Sequence, residues 1–167
     1  MINTEALDGR YFLMKKEDKK ILALNKDAKR AYVLLEKFEA GIVLQGTEVK
    51  SLRIGKVSLK GSYAYIQNEE IYIKDMHISP YEYGNINNHD PLRVRKLLLH
   101  KREIVRLSGK IKEKGLTMVI TKLYLSSGKV KVEIALAKGK TFQDRREDIK
   151  GKEAKRDIDR AMKHDRR

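Results

Sequence analysis

No cysteine occurs in the 167 residues. That absence excludes disulfides, zinc sites built on thiolates and a cysteine nucleophile. Tryptophan is also absent, and proline occurs only at Pro80 and Pro91. No apolar run approaches the roughly 18 residues that span a bilayer. The opening stretch, MINTEALDGRYFLMKKEDKK, carries acidic residues early and lacks the apolar centre of a signal peptide. A soluble, cytoplasmic chain is therefore expected. Negative charge is the remaining shortage: 23 acidic against 38 basic side chains give a net charge of +15. Such a balance points to a polyanionic partner, nucleic acid ahead of an anionic membrane surface. The length suits one domain, or one domain with a tail.

The excess charge is not confined to a basic tail. Residues 21–140 carry 23 basic and 12 acidic side chains, whereas residues 141–167 carry 10 and 7. Within the body, Leu92 to Lys114 holds 9 basic and 2 acidic residues. A solvated helix face normally mixes both signs, so this concentration reads as a phosphate-binding surface.

The apolar pattern predicts short strands and few helices. Tyr32 to Leu44 is rich in β-branched and aromatic residues, with Gly41 as a bend or bulge. Thr47 to Arg53 reads as a short helix capped by Thr47 and ended by Gly55. Ser62–Gln67 and Ile71–Ile78 form a hairpin around Asn68-Glu69, and Pro80 to Pro91 is a loop. Leu92 to Glu113 reads as a helix, with Leu97, Ile104, Leu107 and Ile111 on its core side and Arg95, Arg102, Arg106 and Lys110 opposite. Thr117–Leu125 and Lys129–Ala137 form a second hairpin around Ser126-Ser127-Gly128. Beyond Gly139 only Phe142, Ile149, Ile158 and Met162 are large and apolar. That segment is expected to be disordered alone and helical when bound. The whole suggests a mainly β chain with flanking helices, an OB-like antiparallel barrel, with a split α+β sheet as the competing architecture.

No constellation for covalent chemistry is apparent. Gly139-Lys140-Thr141 lacks the upstream glycine of a phosphate loop, since Ile134 stands there. The four histidines, His77, His89, His100 and His164, have no metal-ligand spacing, and no metal or other cofactor is expected. His89-Asp90 could mimic a catalytic pair, but no nucleophile stands near it. Glu48 reads as an exposed or capping residue. Glu39, an acid beside a bend in a basic protein, is stranger. A carboxylate can accept from a guanine amino group or a ribose hydroxyl, which cations cannot do. The chain reads as a binding protein. An RNA-processing enzyme on the same scaffold and a structural ribosomal protein are the alternatives.

Phe38-Glu39-Ala40-Gly41-Ile42, Gly46 to Arg53, His77 to Tyr81, Asn88 to Arg93, Arg95 to Ile104, Val130 to Lys140 and Asp144-Arg145-Arg146 follow one another at characteristic spacings. In that order they resemble the SmpB family, the SsrA-binding proteins of bacterial trans-translation. The resemblance covers about Ile21 to Arg167, and Met14-Lys15-Lys16 looks like an ordinary family start, so residues 1–13 are expected to be an addition to it.

The resemblance implies three regions: an N-terminal extension over 1–20, expected to be flexible, an OB-like body over 21–140 and a basic tail over 141–167. It implies that the body binds the tRNA-like domain of transfer-messenger RNA (tmRNA). Alanyl-tmRNA, with elongation factor Tu, would then reach the A site of a stalled 70S ribosome. The tail would probe the decoding centre and the empty mRNA channel of the small subunit. A monomer without membrane contact or catalytic residues is expected. By matching position, the implied tmRNA-contacting set is Asn25, Lys26, Glu39, Leu98 and His100, joined by Arg95, Arg102 and Arg106 of the basic stripe. The implied ribosome-contacting set is Gly139, Lys140, Asp144, Arg145, Arg146, Ile158 and Met162.

Overall fold

The computed structural model describes residues 19–84 and 88–164. Residues 1–18, nearly all of the expected N-terminal extension, lie outside the described residues. The chain runs β1 (Lys20–Leu24), α1 (Lys26–Ala31), β2 (Tyr32–Ile42), α2 (Gly46–Arg53), β3 (Val57–Ser58), β4 (Tyr63–Gln67), β5 (Glu70–Lys74) and β6 (His77–Ile78). It continues with β7 (Arg95–Leu98), α3 (Lys101–Lys114), β8 (Thr117–Ser126), β9 (Lys129–Gly139) and α4 (Phe142–His164).

Six strands close on themselves in the order β8, β4, β5, β7, β2, β9 and back to β8, with every neighbour antiparallel. β4 pairs with only the first part of β8, through Tyr63 and Ala64 opposite Val119 and Met118. β1 takes up the same edge further along, from Lys20 opposite Leu125 to Leu24 opposite Lys122. β3 and β6 make a separate two-stranded ribbon. The result is the expected mainly β, OB-like architecture, and the split α+β sheet is set aside.

Alternation fills the barrel. Ile71 and Ile73 on β5, Leu97 on β7, Ile120 and Leu123 on β8, and Val132, Ile134 and Leu136 on β9 point inward and are almost wholly buried. Leu52 of α2 and Ile104 and Leu107 of α3 join the same core. Both tight hairpins use two-residue turns with positive φ at each central position: Asn68 (50°) and Glu69 (60°), then Ser127 (47°) and Gly128 (75°). Such turns match the twist of the flanking strands, and Asn68 is a residue type that tolerates the left-handed region.

Several expectations need correction. The helix expected over Leu92–Glu113 is instead strand β7 followed by α3, which starts only after His100. Leu97 reaches the core from a strand, and Arg95 leaves the helical stripe. The bulges fall at Leu22, Leu35 and Thr121, each unpaired between successive register pairs, and not at Gly41. Gly41 has a different reason: a Cβ there would stand 3.2 Å from the Cβ of its cross-strand neighbour Leu98. Gln45, not Thr47, is the N-cap of α2. β1 and α1 were not expected. The tail forms the helix α4.

Candidate nucleic-acid interface

Cross-strand register decides which side chains share the outside of the barrel. Glu39 on β2 stands opposite Glu133 on β9, and Glu133 stands opposite Lys122 on β8. In the adjacent outward row, Leu98 of β7, Gly41 of β2, Lys131 of β9 and Tyr124 of β8 follow one another. Neighbouring strands are about 4.8 Å apart, so Glu39 and Leu98 belong to one continuous surface.

Two directly opposed carboxylates repel one another unless cations intervene. Glu39 accepts from Lys131 Nζ at 3.1 Å, from Lys19 Nζ at 3.2 Å and from the hydroxyl of Tyr124. The Tyr124 hydrogen bond, then those of the two lysines, hold its carboxyl well below the ordinary 4.5, at about 2. Glu133 accepts from Thr121 Oγ1 at 2.7 Å and pairs with Lys122 at 2.9 Å and Lys37 at 3.6 Å. Partial burial pushes its carboxyl up, but the bonds from Lys122 and Thr121 outweigh this and the net shift is downward. Two ammonium groups approach the Tyr124 ring, Lys19 Nζ at 5.2 Å and Lys122 Nζ at 5.3 Å from its centroid. Two fixed acceptors therefore sit among four lysines, an arrangement suited to base or ribose donors framed by phosphates. Of this cluster, only Glu39 is singled out by sequence reasoning. Lys131 and Glu133 come to it through the pairing of β2 with β9, which no local pattern announces, and Lys122, Tyr124 and Lys19 follow from β8 and the β1 edge beyond.

The β7–α3 junction adjoins this face. Leu98 is 54 % exposed. His100 is the exposed N-cap of α3, and its backbone N–H donates to Glu103 at 3.1 Å. On α3, Arg106 pairs with Glu36 at 2.8 Å and Lys110 pairs with the same carboxylate. Arg102 is exposed and has no acidic partner among the described residues. Of the expected stripe, Arg102 is thus a free cation and Arg106 a half-neutralised one.

Two expected contacts are corrected. Arg95 is wholly buried. Its Nε donates to Glu48 at 2.7 Å, and its guanidinium also donates to the carbonyls of Met76, Arg93 and Pro91. Glu48 is equally buried, against the exposed alternative, and caps α2 by accepting from Gln45 N at 2.7 Å while also binding Arg93. Burial pushes Glu48 up, yet Arg93, the Gln45 N–H and Arg95 together hold it below its ordinary value. Asn25 is buried too: it accepts from Ala28 N at 3.0 Å and donates to the carbonyls of Leu59 and Ile120, each at 2.9 Å. Both residues shape the scaffold and lack a free side chain for RNA. Lys26, next to Asn25, is exposed.

His89 is likewise structural. It is buried, with Nε2 on the carbonyl of Ile78 at 3.1 Å and Nδ1 on Thr47 Oγ1 at 2.9 Å. Asp90 instead accepts from Leu92 N, so the two adjacent residues do not form a pair.

In the tail, Gly139 ends β9 opposite Tyr32, and Lys140 donates from its backbone to Ala31 O at 2.9 Å. Asp144 accepts from Thr141 N at 2.8 Å, which caps α4. Arg146 stacks on Phe142, 4.4 Å from the ring centroid. Ile158 and Met162, four residues apart on one side of α4, are 54 % and 59 % exposed, so the body does not cover this apolar stripe. Arg145 belongs to the same helix, and its side chain lies outside the described residues. No helix among the described residues is long and apolar enough to cross a membrane.

A closed antiparallel barrel with a lysine-framed carboxylate face and a helical tail defines an OB-like protein. The family model described as SmpB protein matches residues 22–164. The chain belongs to the SmpB family. It is 56 % identical over 150 residues to the SsrA-binding protein of Acetivibrio thermocellus, covering 90 % of this chain and 97 % of that protein. It is 57 % identical, with the same coverage, to the SsrA-binding protein of Listeria welshimeri. A solved chain from "tmRNA-SmpB: a journey to the center of the bacterial ribosome" superposes with a TM-score of 0.61 at 47 % identity. That match covers 76 % of this chain and 93 % of the other.

Proposed function

We propose that this chain is an RNA-binding adaptor of ribosome rescue. It binds the tRNA-like domain of tmRNA and brings alanyl-tmRNA, with elongation factor Tu, to the A site of a stalled 70S ribosome. It works by binding and carries out no covalent step, as befits a cytoplasmic partner of the ribosome. The observation that carries this reading is the outer face on which Glu39, Lys131 and Leu98 stand together. A fixed carboxylate accepts base or ribose donors, the lysines take phosphates, and an exposed leucine packs against an unstacked base or ribose. His100, Arg102, Arg106 and Lys26 extend the surface. Names of relatives that specify SsrA binding support the same partner.

In this reading, residues 21–140 take the tRNA-like domain and residues 141–167 enter the empty mRNA channel. There, Lys140, Arg146 and their neighbours meet ribosomal RNA, and Ile158 and Met162 find cover. The test is binding to the tRNA-like domain of tmRNA against bulk tRNA across a salt series, with quantitation on purified ribosomes. Selective, salt-sensitive binding and sub-stoichiometric occupancy are expected. Equal binding to bulk tRNA, or one copy on every ribosome, would favour a structural ribosomal protein.

A further inference from the structure

Tyr124 meets three members of the RNA face, Glu39 through its hydroxyl and Lys19 and Lys122 through its ring. It is 3 % exposed, so its hydroxyl cannot itself be a main contact for RNA. That hydroxyl donates to Glu39 from a strand that is not paired with β2; β9 lies between them. Its ring also meets two ammonium groups, each about 5 Å from the centroid, and each belongs to one carboxylate, since Lys19 pairs with Glu39 and Lys122 with Glu133. Glu39 by itself is 42 % exposed and has flexible torsions. Lysine partners alone would let it swing, because an ammonium is a point charge without directional preference. The phenol is the only directional donor on Glu39 among the described residues.

We propose that Tyr124 is the positioning residue of the RNA face, holding the Glu39 carboxylate in its acceptor orientation and spacing the flanking lysines. The proposal rests on the RNA-binding reading given above. It follows that the hydroxyl of Tyr124 acts through Glu39, while the ring acts through the lysines. Removing the oxygen should cost RNA affinity without changing the number of phosphates neutralised.

The experiment uses the full chain and a transcribed tRNA-like domain of tmRNA, titrated from low to moderate salt. Four proteins are compared: the parent, Tyr124→Phe, Glu39→Gln and the double variant. Tyr124→Phe should bind about tenfold more weakly, the size of one hydrogen bond to a charged group, with an unchanged salt slope. On the Glu39→Gln background the same change should cost less than twofold. Thermal melts accompany each titration, and Tyr124→Trp, which keeps a donor and a ring, is the second variant should Tyr124→Phe melt early; it should bind better than Tyr124→Leu. Affinity of Tyr124→Phe within twofold of the parent, or losses that multiply in the double variant, would overturn the positioning role. Failure of the parent protein to prefer this RNA would instead overturn the binding reading beneath it.

Discussion

Glu48 and Arg95 are both wholly buried and meet at 2.7 Å, 47 residues apart in the chain. Their contact ties α2 to β7, and the remaining guanidinium bonds secure the carbonyls of Met76, Arg93 and Pro91. Removing one partner strands the other charge in the interior. Arg95→Met should therefore cost about 3–5 kcal/mol of stability, read by urea unfolding, while the salt slope of RNA binding by the remaining folded protein stays unchanged. A smaller slope would return Arg95 to the RNA surface.

The same carboxylate sets an acid limit. Glu48 is held below its ordinary value in the folded chain, so its contribution is present above the unfolded value near 4.5 and is lost as pH falls through the lowered one. Glu39 behaves likewise, with its folded value at about 2. Stability should be level with respect to both groups from pH 8 to 6, then decline from about pH 5 downward. Carboxyl carbon NMR should place the Glu39 midpoint at about 2 and find it raised in Tyr124→Phe.

Arg102 and Arg106 differ in their surroundings although they lie one turn apart. Arg102→Ala should reduce the salt slope of RNA binding by up to about one unit. Arg106→Ala should reduce it less, because Glu36 already offsets that charge. Filter binding at several salt concentrations resolves the two. An unchanged slope for Arg102→Ala would turn that face of α3 away from RNA.

Ending the chain after Lys140 removes α4, whose apolar side chains Phe142, Ile158 and Met162 are exposed. The melting temperature should stay the same, and affinity for the tRNA-like domain should change by less than about threefold, under roughly 1 kcal/mol. Rescue of stalled ribosomes should be lost. Replacing Ile158 and Met162 by Glu should reproduce that loss in part, since it removes the stripe and adds charge that RNA repels.

Gly41 offers a structural check. A methyl group there would press on Leu98 at 3.2 Å. Gly41→Ala should cost about 1–3 kcal/mol, or else shift Leu98 and weaken RNA binding, as calorimetry and titration on the same sample would show.

The two hairpins and the OB-like class were legible because alternation and turn residues are local signals. The error at Leu92–Glu113 has a specific cause. Leu97 happens to fall at helical spacing from Ile104, Leu107 and Ile111, so one strand residue completes a false stripe. The true start carries a weak signal, since His100 stands where serine, threonine or aspartate usually caps, although Glu103 three residues on is the usual partner. Glu39 stood out because an acid is unexpected in that strand. Its partners Tyr124 and Lys131 were hidden by sequence distance, as were Arg93 and Arg95 for the buried Glu48. An isolated charge pattern cannot distinguish an arginine that meets phosphate from one that meets a carboxylate in the core.

β9 stands between β2 and β8 and is the last strand to be made, with Tyr32 near the start of the barrel opposite Gly139 at its end. During synthesis β2 and β8 therefore each lack one neighbour until this strand is made. A growing chain that has reached β8 still exposes the apolar faces of β2 and β5, and only the arrival of β9 lets the ring shut. Pairings of such long sequence separation belong to folding on the millisecond-to-second scale. A protein so arranged leaves little room for a stable half-finished form, and any chain that stops short of β9 should be cleared as unfolded.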